Sequence, residues 1–124
     1  MTLPATQGTY PYPNEPTWSR SEKAIARTVV DAALRRELHA VIREAKRMAN
    51  QIKEPGDLWA LERYLAERRK DINRKYDFRS SQLTRVFGEL LCERRLSEEE
   101  LRGLRADKLE AIRSRAKVLS EDAT

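Results

Sequence analysis

The sequence predicts an all-α protein, and three observations carry that prediction. Apolar residues recur at steps of three and four through most of residues 20–119, the spacing of one helix face. Helix-capping residues stand where the periodic stretches begin. No segment offers a candidate strand, and only four glycines are spread over 124 residues. The composition, 36% charged and 40% hydrophobic with few aromatics, fits long polar helices carrying thin apolar stripes. Thin stripes bury little within one short chain, so part of the burial is expected from a second chain.

Residues 1–18 hold Pro4, Pro11, Pro13 and Pro16. Prolines at that density deny a helix, and the segment is expected to be a flexible arm. Ser19 with Glu22 three residues on forms a capping box, so the first helix starts there. No Pro or Gly interrupts the chain before Pro55, which leaves a helix of about 30 residues, long against the usual length. Leu34, Leu38, Val41, Ala45, Met48 and Ile52 are spaced as a heptad seam, with Val30 and Ile42 close beside it. A helix of that length outruns its own domain. Pairing with a second copy is the simplest way to bury the seam, since a hairpin against residues 57–79 covers only part of it. The expected architecture is one long N-terminal helix, a second central helix and a C-terminal cluster of short helices, assembled as an elongated homodimer.

The second helix follows the turn signal Pro55-Gly56, with Asp57 expected as its cap. Leu58, Leu61, Leu65 and Ile72 make its stripe, and Trp59 and Tyr64 sit beside it. Arg63, Arg68, Arg69, Lys70, Arg74, Lys75 and Arg79 fall on the remaining surface. Two readings stay open here. A large aromatic edged by arginine is the material of a protein–protein hot spot; equally, an aromatic at helical spacing is often core, with the bases a solvated face.

Leu83, Val86, Phe87, Leu90 and Leu91 predict a third helix, with Asp77 or Ser80 as its cap. Ser97 with Glu100 is another capping box, opening a short helix that carries Leu101 and Leu104. Asp107 is expected to cap the last helix, whose apolar side is Leu109, Ile112, Ala116 and Leu119. A single domain therefore spans 19–119, between the arm 1–18 and a frayed tail 120–124.

Charge is uneven along the chain. Residues 1–56 carry nine basic and six acidic side chains, 57–79 seven and five, and 80–124 nine of each, which points to an acidic partner near the first two thirds. A small DNA-binding dimer using Arg68-Arg69-Lys70 and Arg74-Lys75 on phosphates is a competing reading. Glu67 and Asp71 interleave those bases, and no recognition helix follows a short turn, which argues against nucleic acid. Cys92 is the only cysteine and is expected to be a small buried residue; His39 is the only histidine and has no companion at metal-ligand spacing. The sequence holds no phosphate loop and no histidine–carboxylate or cysteine–histidine set, so an enzyme, a metal and a cofactor are not expected. No apolar run reaches membrane-spanning length, and no basic-then-apolar leader opens the chain; a soluble cytoplasmic protein is expected.

The pattern Trp59-x-Leu61-x-x-Tyr64-Leu65-x-x-Arg68-Arg69-x-x-Ile72-x-x-Lys75-Tyr76-Asp77-x-Arg79 resembles the signature of the fluorescence recovery protein family. The resemblance runs from Trp18-Ser19 through Phe87, Leu90-Leu91, Glu100-Leu101, Leu104 and Ala106-Asp107-Lys108 to about Ala116. It implies an all-α homodimer without cofactor or covalent chemistry. Such a dimer binds the C-terminal domain of light-activated orange carotenoid protein, speeds its return to the inactive orange form and frees it from the phycobilisome. By resemblance Trp59, Arg69 and Trp18 line or flank the partner surface, and Ile42, Ile52 and Leu58 lie in the dimer interface, alongside Leu38 and Val41 of the seam. Two departures stand in the pattern. Glu62-Arg63 replaces a His-Asp pair, reversing the sign of a contact in the implied partner site, and Arg85 replaces a phenylalanine. They leave a second reading: the same dimeric scaffold serving a different protein partner, such as a signalling component, in a bacterium without phycobilisomes.

Overall fold

Ser19 opens the first helix as its sequence predicts. Its hydroxyl accepts the Glu22 N–H at 3.1 Å, and the Glu22 carboxylate accepts the Ser19 N–H at 3.0 Å. The computed structural model describes residues 17–123, so the proline-rich segment 1–16 lies outside the described residues. Four helices follow one another: α1 (Arg20–Asn50), α2 (Pro55–Lys75), α3 (Leu83–Cys92) and α4 (Ala106–Ala123). Single 3₁₀ turns at Ser80–Gln82 and Glu98–Leu101 stand before α3 and α4, the second taking the place of the expected short helix.

The core gathers at the N-terminal half of α1. Ala26, Val29, Val30 and Ala33 pack with Leu83, Val86, Phe87 and Leu90 of α3, with Leu96, Leu101 and Leu104, and with Ile112 of α4. Beyond Ala33, α1 leaves this cluster and runs on for nearly five more turns. The chain reverses over Gln51–Glu54, and α2 returns until its last turn reaches Glu37 of α1. The molecule is thus a helical head from which an α1–α2 hairpin projects.

Two backbone features shape the head. A Cβ on Gly88 would meet Arg115 Cγ at 2.5 Å and Cβ at 2.7 Å, so the missing side chain is what lets α4 cross α3 this closely. The end of α3 is a Schellman turn: Arg95 N–H donates to Leu90 O at 2.8 Å and Arg94 N–H to Leu91 O at 3.1 Å, with Arg94 left-handed at φ 61°.

Three expectations change here. Trp18 is not part of a free arm; it is 5% exposed and stacks obliquely on Phe87 at 5.9 Å, because the reciprocal Ser19–Glu22 bonds turn the chain back onto the head. Asp107 lies inside the first turn of the last helix rather than before it, its Oδ1 accepting the Lys108 N–H at 2.9 Å. The Arg105 N–H at the helix start donates to Glu22 Oε2 at 3.0 Å, so one carboxylate serves the first turn of α1 and that of α4. The helix also continues to Ala123 rather than stopping at 119, since no Gly or Pro breaks it.

Glu22 is buried with Lys108, whose Nζ lies 3.2 Å from Oε1 and 5.6 Å from the Trp18 ring. Burial pushes the Glu22 carboxyl up, but the N–H groups of Arg105 and Ser19 and the Lys108 ammonium outweigh it and bring its pKa down to about 2. A carboxylate depressed on folding stabilises above its unfolded value and loses that contribution as pH falls through the folded one. The thermal midpoint is therefore expected to fall between pH 4.5 and about 2, and Glu22→Gln to flatten that decline; scanning calorimetry across the window measures both.

Candidate interaction surface

The second helix is positioned by its first turn and its last. Pro55 stands at the first helical position, where its fixed φ suits the helix and no N–H is missed. The helix starts there rather than at Asp57. Asp57 lies inside the first turn and reaches back, its Oδ2 accepting from Lys53 N–H at 3.0 Å and Glu54 N–H at 3.1 Å.

The last turn is held by a buried ion cluster. Glu37 and Lys75 are 0% and 1% exposed. Lys75 Nζ donates to Glu37 Oε2 at 2.8 Å and to Glu93 Oε1 at 2.7 Å, while Tyr76 O–H donates to Glu37 Oε1 at 2.8 Å. Arg68 donates a further bond to Glu37 Oε2, and Arg95 Nε lies 3.9 Å from Oε1. Asp71 bridges Arg68 and Arg74. Burial pushes the Glu37 carboxyl up, but hydrogen bonds from Lys75 and Tyr76 and the nearby charges of Lys75 and Arg95 prevail and lower its pKa. Burial, and then the bond to Glu37, raise the Tyr76 hydroxyl.

Arg68 and Lys75 therefore leave the solvated basic face on which their sequence spacing placed them. With both turned toward Glu37, the clusters Arg68-Arg69-Lys70 and Arg74-Lys75 no longer present a continuous row for phosphates. Glu37 and Glu22 went unrecognised as organising residues in the sequence. A signal was present: Glu22, Ala26, Val29, Ala33 and Glu37 lie on one helix face at steps of four, three, four and four, so two acids bracket an otherwise apolar stripe.

The hairpin's apolar residues are left uncovered by their own chain. Leu38 and Ile42 of α1 and Leu58, Trp59 and Leu65 of α2 are exposed, while Val41, Ile52, Leu61 and Tyr64 are half-buried. Trp59, 56% exposed, is not a core residue of this chain. Glu62, Arg63 and Arg69 share the exposed surface of α2 with it, and Glu62 and Arg63 stand three and four residues beyond Trp59, on the same side of the helix. Trp18 is not brought to this surface; it lies in the head core. Arg85 is half-buried and donates to Gln82 Oε1 at 2.8 Å, with Glu89 3.5 Å away. His39 is exposed, and Cys92 is half-buried rather than fully so. A shallow open concavity lies between α1 and the α3–α4 connection, lined in part by Arg36, Arg95 and Glu100.

The described helices leave a tryptophan, four aliphatic side chains and charges of both signs uncovered on two adjoining helices, the composition of a protein-binding surface. No described helix is long and apolar enough to cross a membrane. Residues 18–116 match the family of the photoprotection regulator fluorescence recovery protein. The chain is 36% identical over 104 residues to the fluorescence recovery protein of Synechocystis sp. PCC 6803, covering 84% of this chain and 95% of that protein. The solved fluorescence recovery protein structures from Fremyella diplosiphon and from Synechocystis sp. PCC 6803 each superpose with a TM-score of 0.78 at 37% identity, covering 82% of this chain and 99% of the other. The chain belongs to the fluorescence recovery protein family of photoprotection regulators.

Replacing Glu37 by Gln leaves buried Lys75 with Glu93 at 2.7 Å and the more distant Asp71 at 3.8 Å as its carboxylates. Loss of one member of a buried ion pair is expected to cost about 3 kcal/mol in urea unfolding, and the pH dependence attributable to Glu37 should vanish with it.

Proposed function

We propose that this protein is a homodimeric, non-enzymatic regulator that binds the C-terminal domain of light-activated orange carotenoid protein and accelerates its return to the orange form. The observation that carries the reading is the exposed Trp59, flanked by Glu62 and Arg63, within residues 18–116 that match a family of photoprotection regulators. A regulator of this kind works by binding one conformation of its partner better than another, the only means by which a ligand moves an equilibrium. Trp59 is the anchor, with Glu62, Arg63 and Arg69 as its polar surround; Trp18 contributes only by supporting the head. Leu38, Val41, Ile42, Ile52 and Leu58 form the surface that a second copy covers, since their exposed and half-buried apolar area is what a heptad seam leaves for its partner.

The dimer is tested by Leu58→Glu, which places a charge in that apolar seam. Light scattering at micromolar concentration should give the molar mass of one chain for the variant and of two for the unaltered protein. The activity is tested by following the dark reversion of photoactivated orange carotenoid protein by absorbance. Acceleration by the unaltered protein is expected, and Trp59→Ala should weaken binding by at least about 2 kcal/mol while leaving helicity and molar mass unchanged. No acceleration by an intact dimer would assign the scaffold to another partner.

A further inference from the structure

The orientation of the second helix comes from polar contacts. Of its 21 residues only Lys75 is buried, and Leu61, Tyr64 and Ile72 are half-buried. Side chains left partly in water make few of the contacts that lock a packed core, so apolar packing does little to stop α2 turning about its own axis. Among the described residues, every hydrogen bond and ion pair between a side chain of α2 and one of α1 ends on Glu37. Arg68 and Lys75 both donate to its Oε2. They stand seven residues apart, about two turns, and so leave α2 from one side. A single contact lets a helix swivel; two that converge from the same side fix its rotation. Trp59 precedes Arg68 by nine residues, about two and a half turns, so pinning Arg68 inward points Trp59 directly away from α1. Trp59 is accordingly the most exposed large apolar side chain among the described residues. Arg63 and Glu62, five and six residues before Arg68, come out on the same outward half of the helix.

We infer that Glu37 is a positioning residue for partner recognition: through Arg68 and Lys75 it sets the rotation of α2 and so holds Trp59 outward, with Glu62 and Arg63 beside it. This rests on the functional reading above. Glu37 is 0% exposed, so it acts without touching the partner. Arg68 faces the opposite side of α2 from Trp59, so a partner seated on Trp59 does not reach it either. An anchor already held in its bound orientation loses less order on binding than one that swivels, and a site a little out of register is a weak one.

Glu37→Gln also disturbs buried Lys75, so the cleaner variant is Arg68→Met, which keeps a long side chain and leaves Lys75 and Tyr76 on Glu37. Its affinity for photoactivated orange carotenoid protein is measured alone and together with Trp59→Ala. Circular dichroism establishes that each variant is folded, and light scattering gives its molar mass. Arg68→Met should weaken binding about tenfold, whereas Arg68→Lys, which keeps a cation for Glu37, should stay within about twofold of the unaltered protein. In the Trp59→Ala background Arg68→Met should change affinity by less than about twofold, because the side chain it presents is gone. Losses that multiply would show Arg68 acting apart from Trp59 and would overturn the inference. Unchanged affinity in Arg68→Met would overturn it while leaving the functional reading intact. A changed molar mass would assign Arg68 to the contact between copies and would overturn it as well. No binding by the unaltered protein would overturn both. If Arg68→Met does not fold, Tyr76→Phe, which takes one hydrogen bond from Glu37 and no charge, goes through the same cycle with the same outcomes.

Discussion

The buried carboxylate of Glu37 is the contact on which the rest of the arrangement depends. It sits on α1 where that helix leaves the head, and it collects Lys75 and Tyr76 from the end of α2 and Arg68 from one turn earlier. Lys75 in turn reaches Glu93 just beyond α3. Three helices are thereby referred to one pair of oxygens. Each partner is charged or a hydroxyl, so the geometry is directional in a way that apolar packing is not. Removing water from such a group is costly, and the cluster persists because its members answer one another's charge and hydrogen-bonding demand. The angle at which the hairpin leaves the head is set at this point.

That choice has a consequence for the surface. The second helix is tied inward through Arg68, Asp71 and Lys75, which are polar. Its most apolar exposed side chains, Leu58, Trp59 and Leu65, are left outward or at the edge. Glu22 does comparable work at the other end of α1, where one carboxylate joins the starts of two helices and pairs with Lys108 beneath Trp18. Ionic contacts thus fix the frame, and the apolar material of the hairpin is free for association. This division favours association, because a frame already fixed loses little order on binding.

Much of the fold was legible in the sequence because helices declare themselves locally. The Ser19–Glu22 and Ser97–Glu100 boxes, the unbroken run before Pro55 and the apolar spacing of Leu83, Val86, Phe87 and Leu90 each act within a few residues. The motif around Trp59 was legible as well, since it is a pattern of residue types at fixed spacing. What the spacing could not tell was which way a side chain faced once two apolar-edged helices met. Trp59 was open between core and surface, Trp18 was assigned to a partner surface, and Arg68 and Lys75 were placed in solvent. At the start of α4 Asp107 holds the Lys108 N–H from within the first turn, as a local pattern can suggest, whereas Glu22, 83 residues from Arg105, takes the Arg105 N–H through space.

By itself, then, the sequence determined the helical elements, most of their starts, the long reach of α1 and membership in a family of helical regulators. These follow from short-range hydrogen bonding and periodicity, which are written in neighbouring residues. Only the tertiary structure decided that Glu22 and Glu37 are buried hubs, that Trp18 belongs to the core while Trp59 does not, and that Arg68 and Lys75 turn inward to Glu37. Burial and ion pairing depend on which distant side chain arrives within about 3 Å, and that distance is set by the packing of whole helices rather than by any local run of residues.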